Sequence, residues 1–415
     1  MLYRKHNTLR QYIFFFLAVI SCWYFFFAST YSLRPFQQLF WVLIASLSIL
    51  IGVLHRYKLD VVDQIFFISM FILFCFSIFS VNILGSMLVV GQYFIYYTVA
   101  RMITGNCESR TIHNIIFSFA IFHLICLYIQ VLAPSVYKLI IMPLLPSSTH
   151  TMITQQMEWN KAYYGFAIQS SMSAMYLSIG TILSALRFKD CKNKISKILY
   201  LLLTFLFLIA VFFTQRRGSA GACIVILALI YMTAKGNKLS KVVFGVSVVV
   251  MIGIIGISNI PGVSAMLGKV QLSLSNGSFM NGRDSNFLRG FQAIGERPIF
   301  GYGGGQVSAA TGYAWIENSY ISIMIQWGIL GAIAFFAPYI TMVKNIFMLR
   351  VNLRNETIYM EFSKYMLFLY VVMSFVENYF GDALNVFILY VCVFSGIHYS
   401  EVLDEMIEID KAGIK

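Results

Sequence analysis

The sequence predicts an all-α polytopic membrane protein with about twelve transmembrane helices. Hydrophobic residues make up 59% of the 415-residue chain and charged residues only 11%, whereas soluble domains carry about 25% charged residues. Apolar runs recur along the whole chain, and a membrane span needs roughly 20 such residues. Basic residues concentrate in alternate connections between the runs, as the positive-inside rule describes. A chain of this kind is solvated mainly by lipid.

The apolar runs locate the expected spans in order along the chain. They are centred near residues 11–30, 37–54, 64–81, 83–100, 112–132, 165–186, 196–214, 218–234, 242–258, 318–340, 365–377 and 384–399. Two connections between them are long, and long loops in compact membrane proteins are usually functional. We expect the following organisation: an N-terminal bundle of five spans at 1–133, an extracytoplasmic loop at 134–163, spans six to nine at 164–258, a long extracytoplasmic catalytic loop at 259–317, C-terminal spans at 318–400 and a cytoplasmic tail at 401–415.

The basic residues predict the orientation of these spans. Most of the 30 lysines and arginines fall in connections that are cytoplasmic if the N-terminus is cytoplasmic, with the densest cluster between Arg187 and Lys197. Both termini are then expected in the cytoplasm. The net charge of +13 is interpreted as this topology signal, so nucleic acid is not expected as a partner. The cysteines and histidines form no CxxC or Cys/His cluster, and neither a metal site nor a cofactor is predicted.

The second long loop contains a helical pattern. Apolar residues recur at helical spacing, namely Phe287, Leu288, Phe291 and Ile294. Polar residues fall on the opposite face, namely Arg289, Gln292 and Glu296. Pro298 is expected to end the helix. The pattern favours an amphipathic helix that lies on the membrane surface or caps a cavity; an interfacial helix without chemistry has the same pattern.

The adjacent arginines Arg216 and Arg217 are the most informative charges. They stand in FFTQRRGSAG, at the expected external end of the seventh span, and the eighth span begins at once. Charge at a membrane boundary is costly unless it is paired or functional. Arginine binds phosphate oxygens with two parallel donors, and Gly218 and Ser219 open a helix N-terminus that also favours anions. The alternative is a pair of interface anchors.

A glycine-rich turn and a carboxylate precede the tenth span. GYGGG at 301–305 lacks the Lys-Ser/Thr of a phosphate loop and fails the GxGxxG pattern at Gln306. It therefore predicts a tight turn through which backbone approaches substrate or helix. Glu317 stands at the helix N-terminus, where the helix dipole favours a carboxylate. It is interpreted either as a cap or as a functional group.

Together these motifs resemble a known family. They are TQRRG after a span, GR at 282–283, RPIFGYGGG at 297–305 and ENSYISIMIQWGILG at 317–331. Their order and spacing are similar to those of the O-antigen polymerase and O-antigen ligase superfamily, over about residues 165–340. The resemblance implies a multi-span, GT-C-like glycosyltransferase fold. It also implies undecaprenyl-diphosphate-linked oligosaccharides as substrates at the outer face of the bacterial inner membrane, without a metal.

The resemblance assigns roles residue by residue. Arg217 matches the arginine that opens a span, Arg283 matches the loop arginine, and Glu317 stands where the ligases place a histidine. This last departure favours a polymerase over a ligase. These three residues are expected to be catalytic, with Glu317 as the base. Substrate binding is expected of Arg216, Arg289, Gly303, Gly305, Asn318 and Tyr320.

Further residues and partners follow from the same interpretation. Aromatic side chains near the expected site would stack on sugars or form the aromatic belt of a membrane protein: Trp159, Tyr163, Tyr164, Tyr302, Tyr313 and Trp315. Glu377 and Asp382 are candidates to join the site. Membrane lipid, a chain-length regulator and a flippase are the expected partners. A transporter is the rival class, but transporters usually show paired broken helices, and the sequence shows no such symmetry. A structural membrane protein would leave the external arginines unexplained.

Overall fold

The structure, a computed structural model, describes residues 8–27, 59–232, 284–314, 316–352, 358–381 and 385–397, with a few single positions between them. Every regular element in these ranges is helical, as the sequence predicts. The longer helices are α1 (Thr8–Phe27), α2 (Val61–Phe76), α3 (Ile83–Asn106), α4 (Ser109–Leu132), α5 (Ser147–Glu158), α6 (Ser170–Asp190), α7 (Lys194–Phe213), α8 (Arg217–Met232), α9 (Asp284–Glu296), α10 (Ser319–Asn352), α11 (Ile358–Met373) and α12 (Asn385–Ile397). Shorter helical segments lie at Ser77–Phe79, Pro134–Val136, Tyr137–Ile141, Met142–Leu144 and Val307–Thr311.

Several of the helices identify a multi-pass membrane protein. In the described ranges, five are long and apolar enough to cross a membrane: Val61–Phe79, Ile83–Asn106, Ser109–Leu132, Lys194–Phe213 and Ser319–Ile346. Four shorter apolar helices accompany them: Ile13–Trp23, Pro134–Leu144, Arg217–Met232 and Asn385–Ile397. The fold class is therefore confirmed, but the expected count of about twelve spans is not. The predicted span at 242–258 lies outside the described residues, as does almost all of the one at 37–54.

The chain divides into two compact units. The first comprises Met1–Ile20, Gln38–Ile112 and Met280–Lys415, and the second comprises Ser21–Gln37 and His113–Phe279. In the first unit α2 packs along α10, and in the second α6 packs against α7 and α8. Each unit therefore has its own helical core.

A cluster of stacked rings forms part of the core of the first unit. The rings of Phe66 and Tyr97 stack with 3.6 Å between their centroids, and Tyr390 meets Tyr97 edge-on at 5.2 Å. Phe394 stacks on Tyr390 at 5.8 Å. Offset and edge-on ring pairs add to the stabilisation that burial provides, so this cluster fastens α2 and α3 to α12.

A buried charge network lies beside these rings. Asp60 caps α2 by accepting from the Asp63 N–H at 2.8 Å, and the Asp63 carboxylate accepts from the Asp60 N–H at 3.0 Å. Arg101 of α3 pairs with both carboxylates, and the Tyr97 hydroxyl donates to Asp63 at 2.6 Å. Burial raises the pKa of Asp60, although the guanidinium of Arg101 acts in the opposite direction. The network joins α2 to α3 through ion pairs and a hydrogen bond. The sequence analysis did not predict it.

Helix α6 is the buried centre of the second unit. The sequence predicts a span at 165–186, and a helix does form there, but protein covers nearly all of it. Small residues permit this close packing: a Cβ on Gly180 would lie 2.3 Å from the ring of Phe207 on α7. The hydroxyls of Ser178 and Ser184 are satisfied within the helix, by Ala174 O at 2.6 Å and Gly180 O at 2.7 Å.

Candidate functional site

The two adjacent arginines lie at a sharp corner between α7 and α8. After α7 ends at Phe213, the Thr214 hydroxyl donates to the carbonyl of Val211 at 2.7 Å. Gln215 then adopts a left-handed φ of 58°, a conformation that commonly ends helices. Because the chain reverses at this one residue, α8 begins already at Arg217. The close succession of the two helices is as the sequence predicts.

Arg216 is held by the segment that leads into α6. Its Nε donates to Ser170 Oγ, the first residue of that helix, at 2.7 Å. The side-chain amide of Gln215 donates to the carbonyl of Asn160, and the Tyr163 N–H donates to the carbonyl of Phe213 at 3.0 Å. The arginine corner (residues 213–219) is therefore fastened at three points to the loop of residues 159–169 and to the start of α6.

The first turn of α8 offers donors to an anion. The Ala220 N–H donates to the carbonyl of Arg216 at 3.1 Å, so Arg216 caps the helix and the preceding N–H groups belong to its first turn. Ser219 is 1% exposed, and its hydroxyl has no hydrogen-bond partner among the described residues. Arg216 and Arg217 are both half-buried. Two guanidinium groups at a helix N-terminus form a favourable environment for phosphate oxygens.

Tyr164 adds a protonated phenol to this corner. Burial raises the pKa of Tyr164, while Arg216 and the Ser170 hydroxyl act in the opposite direction. The phenol therefore remains a hydrogen-bond donor near neutral pH and does not become a second anion. Tyr163 and Tyr164 are both buried, so their rings present no open face for stacking a sugar. Trp159, the third aromatic candidate here, is 78% exposed.

In the first unit, the glycine-rich segment folds as a strap over α10. The Tyr302 N–H donates to Ile325 O at 2.9 Å and the Gly303 N–H donates to Gln326 O at 2.7 Å. The Gly305 N–H donates to the side-chain oxygen of Gln326, also at 2.7 Å. We call residues 298–305 the glycine strap. The N–H groups of Tyr302, Gly303 and Gly305 thus donate to α10. The tight turn therefore brings backbone close to a helix, which is one of its two predicted uses.

The strap covers a break in α10. Gly328 has φ 65° and ψ −174°, so the helix is interrupted there. Its neighbour Ile329 donates its N–H to Pro298 O at 2.8 Å instead of to Ile325 O. A Cβ on Gly328 would lie 2.1 Å from the carbonyl oxygen of Ile299. Non-helical backbone inside a membrane protein is tolerated where protein satisfies its polar groups, and the strap does this.

The other side of the strap rests on the turn between α2 and α3. Ser80 Oγ and the Val81 N–H both donate to Tyr302 O, at 3.1 and 2.9 Å. A Cβ on Gly303 would lie 1.8 Å from Ser80 Oγ, so only glycine fits this position. Gly303 and Gly305 were predicted to bind substrate. The structure places Gly303 in the protein interior and leaves Gly305 exposed, with its N–H already bonded.

Asn318 caps the N-terminus of α10. Its side-chain oxygen accepts from the Ile321 N–H at 3.0 Å, and its carbonyl accepts from the Ser322 N–H at 3.0 Å. Its side-chain amide donates to Phe375 O at 3.0 Å. Asn318 was predicted to bind substrate, but this structure commits both of its amide atoms to protein partners. Asn318 therefore has a structural role that the sequence analysis did not assign.

The next two residues fasten the same helix to the turn after α11. Ser319 Oγ donates to Glu377 O and accepts from the Phe380 N–H, each at 3.0 Å. The Tyr320 hydroxyl, also predicted to bind substrate, donates to Val371 O at 2.9 Å. The Asn-Ser-Tyr step of the motif is therefore a three-residue clamp between α10 and α11.

Glu317 is half-buried and directly precedes the cap of α10. Its carboxylate stands at a helix N-terminus, where the helix dipole stabilises a negative charge. Glu377 is buried in the turn after α11, where its backbone carbonyl accepts from Ser319 Oγ at the start of α10. Asp382, the other candidate, lies outside the described residues.

Helix α9 confirms the predicted helical pattern and its end before Pro298. Its polar face, with Arg289, is exposed as expected. Gly290 lets the helix approach α10 closely, because a Cβ there would lie 2.7 Å from Ile321 Cγ2. Leu288 and Phe291 are 61% and 58% exposed. The predicted apolar face is thus divided between packing on α10 and an exposed surface suited to lipid.

Tyr302 carries an exposed polar group at the base of the strap. Its hydroxyl donates to Glu296, and the guanidinium of Arg297 lies 4.9 Å from the ring centroid. Burial and the neighbouring Glu296 raise the pKa of Tyr302, and Arg297 opposes them. The ring face is therefore partly covered by Arg297 and less open to a sugar than its sequence position indicates.

The predicted site residues fall into both units. Arg216 and Arg217 lie in the second unit, and Arg289, Gly303, Gly305, Glu317, Asn318 and Tyr320 lie in the first. Arg283 and Trp315 lie outside the described residues. Sequence reasoning missed Ser170, the partner of Arg216. A serine at the start of a helix gives no signal that it will meet an arginine 46 residues later.

A single segment of the chain, which contains the arginine corner, the glycine strap and the start of α10, matches a known protein family. Residues 202–336 match the model of the O-antigen ligase family. The match covers about a third of the chain and confirms the resemblance drawn from the motifs. No curated protein matches the chain significantly.

The matched family is described as O-antigen ligase. That family is enzymatic and glycosyl-transfer-related, and its description implies lipid-linked oligosaccharides as its substrates. The matched segment contains Arg216, Arg217, Arg283, Arg289 and Glu317. In the described part of the chain, no group of three or more His, Cys, Asp or Glu residues is arranged to hold a metal ion.

Proposed function

We propose that this protein is a polymerase of bacterial polysaccharide repeat units, O-antigen or capsule, carried on undecaprenyl diphosphate. The arginine corner carries the proposal. It presents two guanidinium groups, Arg216 and Arg217, at the N-terminus of α8, with the Tyr164 phenol beside Arg216. A diphosphate is the part of such a substrate that this donor set would recognise.

The reaction is a glycosyl transfer in which the donor is already activated. A hydroxyl oxygen of the acceptor sugar attacks the anomeric carbon of the donor, and the bond from that carbon to the diphosphate oxygen breaks. The diphosphate leaves with the bonding electron pair. Because its negative charge grows as the bond breaks, Arg217, assisted by Arg216, would stabilise the transition state more than the bound donor. Arg283 is proposed to share this role.

Glu317 would accept the proton that the acceptor hydroxyl loses. Glu317 is half-buried and directly precedes the cap of α10, and in this position it would act as the base. General-base assistance is typically worth about 10²–10⁴-fold in rate. The clamp formed by Asn318 and Ser319 fixes the backbone next to Glu317 and would limit the positions that its carboxylate samples.

The setting of the enzyme follows from the proposed substrate. The lipid carrier is used at the outer face of the inner membrane, so residues 259–317 and the arginine corner would face the periplasm and both termini the cytoplasm. The architecture would be GT-C-like, without a metal. A chain-length regulator and a flippase would be its protein partners, since one limits polymer length and the other supplies repeat units.

An O-antigen ligase is the second candidate, and the description of the matched family favours it. A ligase would transfer finished polymer to a lipid acceptor and not to another carrier-linked repeat unit. The polymerase is preferred because Glu317 replaces the histidine that the ligases place before the asparagine.

Gene deletion separates the two candidates. Loss of a polymerase should leave single repeat units attached to the final acceptor, because ligation continues without polymerisation. Loss of a ligase should leave long polymer on the lipid carrier and none on the acceptor. Gel electrophoresis of both fractions from the deletion strain, with the complemented strain as the control, distinguishes these patterns. Long carrier-linked polymer would reverse the assignment.

A further inference from the structure

One face of α4 supports the loop that fastens the arginine corner. His123, Leu127 and Gln130 are spaced so that they share this face, and all three are buried. Gly165 of the loop packs directly onto it: its φ is 58°, and a Cβ there would lie 3.1 Å from both His123 and Leu127. The loop of residues 159–169 is thus seated between α4 and the arginine corner.

Gln130 holds the middle of this loop through one oxygen. Its Oε1 accepts from the N–H groups of Tyr164 at 2.8 Å and Gly165 at 2.7 Å. Its Nε2 is buried and has no hydrogen-bond partner among the described residues. The side chain is therefore used as an acceptor of two backbone donors, and its amide nitrogen contributes no bond.

His123 holds the next residues in the same way. Its Nδ1 accepts from the Phe166 N–H at 3.3 Å, and its Nε2 shares a hydrogen bond with Ser173 Oγ at 2.9 Å. Ser173 follows Ser170 by one turn on α6. His123 therefore joins the loop to the first turn of the helix whose Ser170 receives Arg216.

We propose that Gln130, assisted by His123, is a positioning residue that fixes the loop 159–169 and thereby the orientation of Arg216. The chain of contacts runs from Gln130 to the Tyr164 and Gly165 backbone, then to Ser170, and from its hydroxyl to the guanidinium. The inference rests on the proposed function, because it assigns Arg216 to the diphosphate. Gln130 and the loop both lie outside the matched residues 202–336.

Because the Gln130 amide nitrogen has no hydrogen-bond partner among the described residues, replacing that nitrogen removes no hydrogen bond. Gln130→Glu keeps the accepting oxygen in an isosteric side chain and gives up no bond, whereas Gln130→Met keeps the volume and removes the acceptor. The two backbone N–H groups favour the carboxylate of such a glutamate and so oppose the desolvation that disfavours it at this buried position. Thr181→Val is the matched control: the Thr181 hydroxyl is equally buried, but it donates to Leu177 O of its own helix at 2.8 Å.

Two measurements on the purified full-length protein in detergent test the proposal. The first is the rate of trypsin cleavage after Lys161, an exposed residue of the loop; it needs no substrate. The second is the affinity for undecaprenyl diphosphate by calorimetry. Gln130→Met should accelerate cleavage and weaken binding by about 10-fold to 10²-fold, the scale of a lost hydrogen bond to a charged group. Gln130→Glu should restore both, and Thr181→Val should change neither.

The outcomes separate this inference from the proposed function. Arg216→Ala and Arg217→Ala test the proposed function, and unchanged diphosphate binding in both would overturn it. In that case the cleavage rate still decides whether Gln130 holds the loop. If the arginine variants lose binding while Gln130→Met binds normally, Gln130 has no positioning role. Faster cleavage with normal binding would reduce it to a structural residue.

Discussion

Replacement of Gly328 by alanine tests whether the glycine strap clamps a broken helix. Gly328 combines φ 65° with ψ −174°, a region that residues other than glycine essentially never occupy. A Cβ there would also lie 2.1 Å from the carbonyl oxygen of Ile299 and 2.7 Å from the nitrogen of Phe300. Both obstacles are backbone atoms of the strap, so no side-chain rotation can relieve the contact.

The expected loss of stability follows from these contacts. Alanine in this backbone conformation costs about 1–3 kcal/mol. Moving the strap away would break its bonds to α10: Tyr302 N to Ile325 O, Gly303 N to Gln326 O and Ile329 N to Pro298 O. Each is worth about 1 kcal/mol. We expect Gly328→Ala to lower the free energy of unfolding by about 4–6 kcal/mol.

Thermal unfolding of the purified protein in detergent measures this loss. A loss of about 4–6 kcal/mol should lower Tm by roughly 5–7 °C, because in a chain of 415 residues each kcal/mol shifts Tm by about 1 °C. Gly91→Ala is the matched control, because Gly91 lies in α3 with open space around its Cα and alanine there should cost nothing. An unchanged Tm for Gly328→Ala would refute the description of the strap as a clamp on α10.

Three further predictions concern the proposed base, the helix cap and the orientation. Glu317→Gln should lower turnover by about 10²–10⁴-fold and leave binding of undecaprenyl diphosphate intact; wild-type chain growth would reduce Glu317 to a cap. Asn318→Ala should lower the free energy of unfolding by about 1–2 kcal/mol, while lost substrate affinity at unchanged stability would support the predicted substrate contact instead of the cap. A cysteine in place of Ser278, in a cysteine-free background, should react with an impermeant thiol reagent in intact spheroplasts, and labelling only after lysis would contradict the periplasmic position of the loop.

Local patterns in the sequence predicted much of the fold. Helices were expected because apolar runs of this length and composition satisfy backbone hydrogen bonds within themselves. The arginine corner was located because α8 follows α7 almost directly in FFTQRRGSAG. Helix α9 and its end at Glu296 followed from apolar periodicity and Pro298. Each of these features depends on residues close together in the chain.

Features that join distant residues were not predictable in this way. The strap is held by Ser80, more than 200 residues before Tyr302, and nothing in WGILG distinguishes a continuous helix from one broken at Gly328. The support of the loop of residues 159–169 by Gln130 also joins residues that are distant in the chain, and the sequence did not predict it. The contacts of Asn318 and Tyr320 with α11 and the turn after it were not predictable either, because a motif gives the order of residues and not the direction of their side chains.

A reconstituted reaction with Arg217 variants tests the central claim most directly. Purified protein, an undecaprenyl-diphosphate-linked repeat unit and detergent or liposomes should yield a ladder of longer carrier-linked products. Arg217→Lys keeps the charge but loses the two-pronged geometry, so it should be severely impaired, and Arg217→Ala should be inactive. Both should retain the wild-type unfolding temperature. Full-length ladders from folded Arg217→Ala would show that this arginine is an interface anchor and would contradict the proposed chemistry.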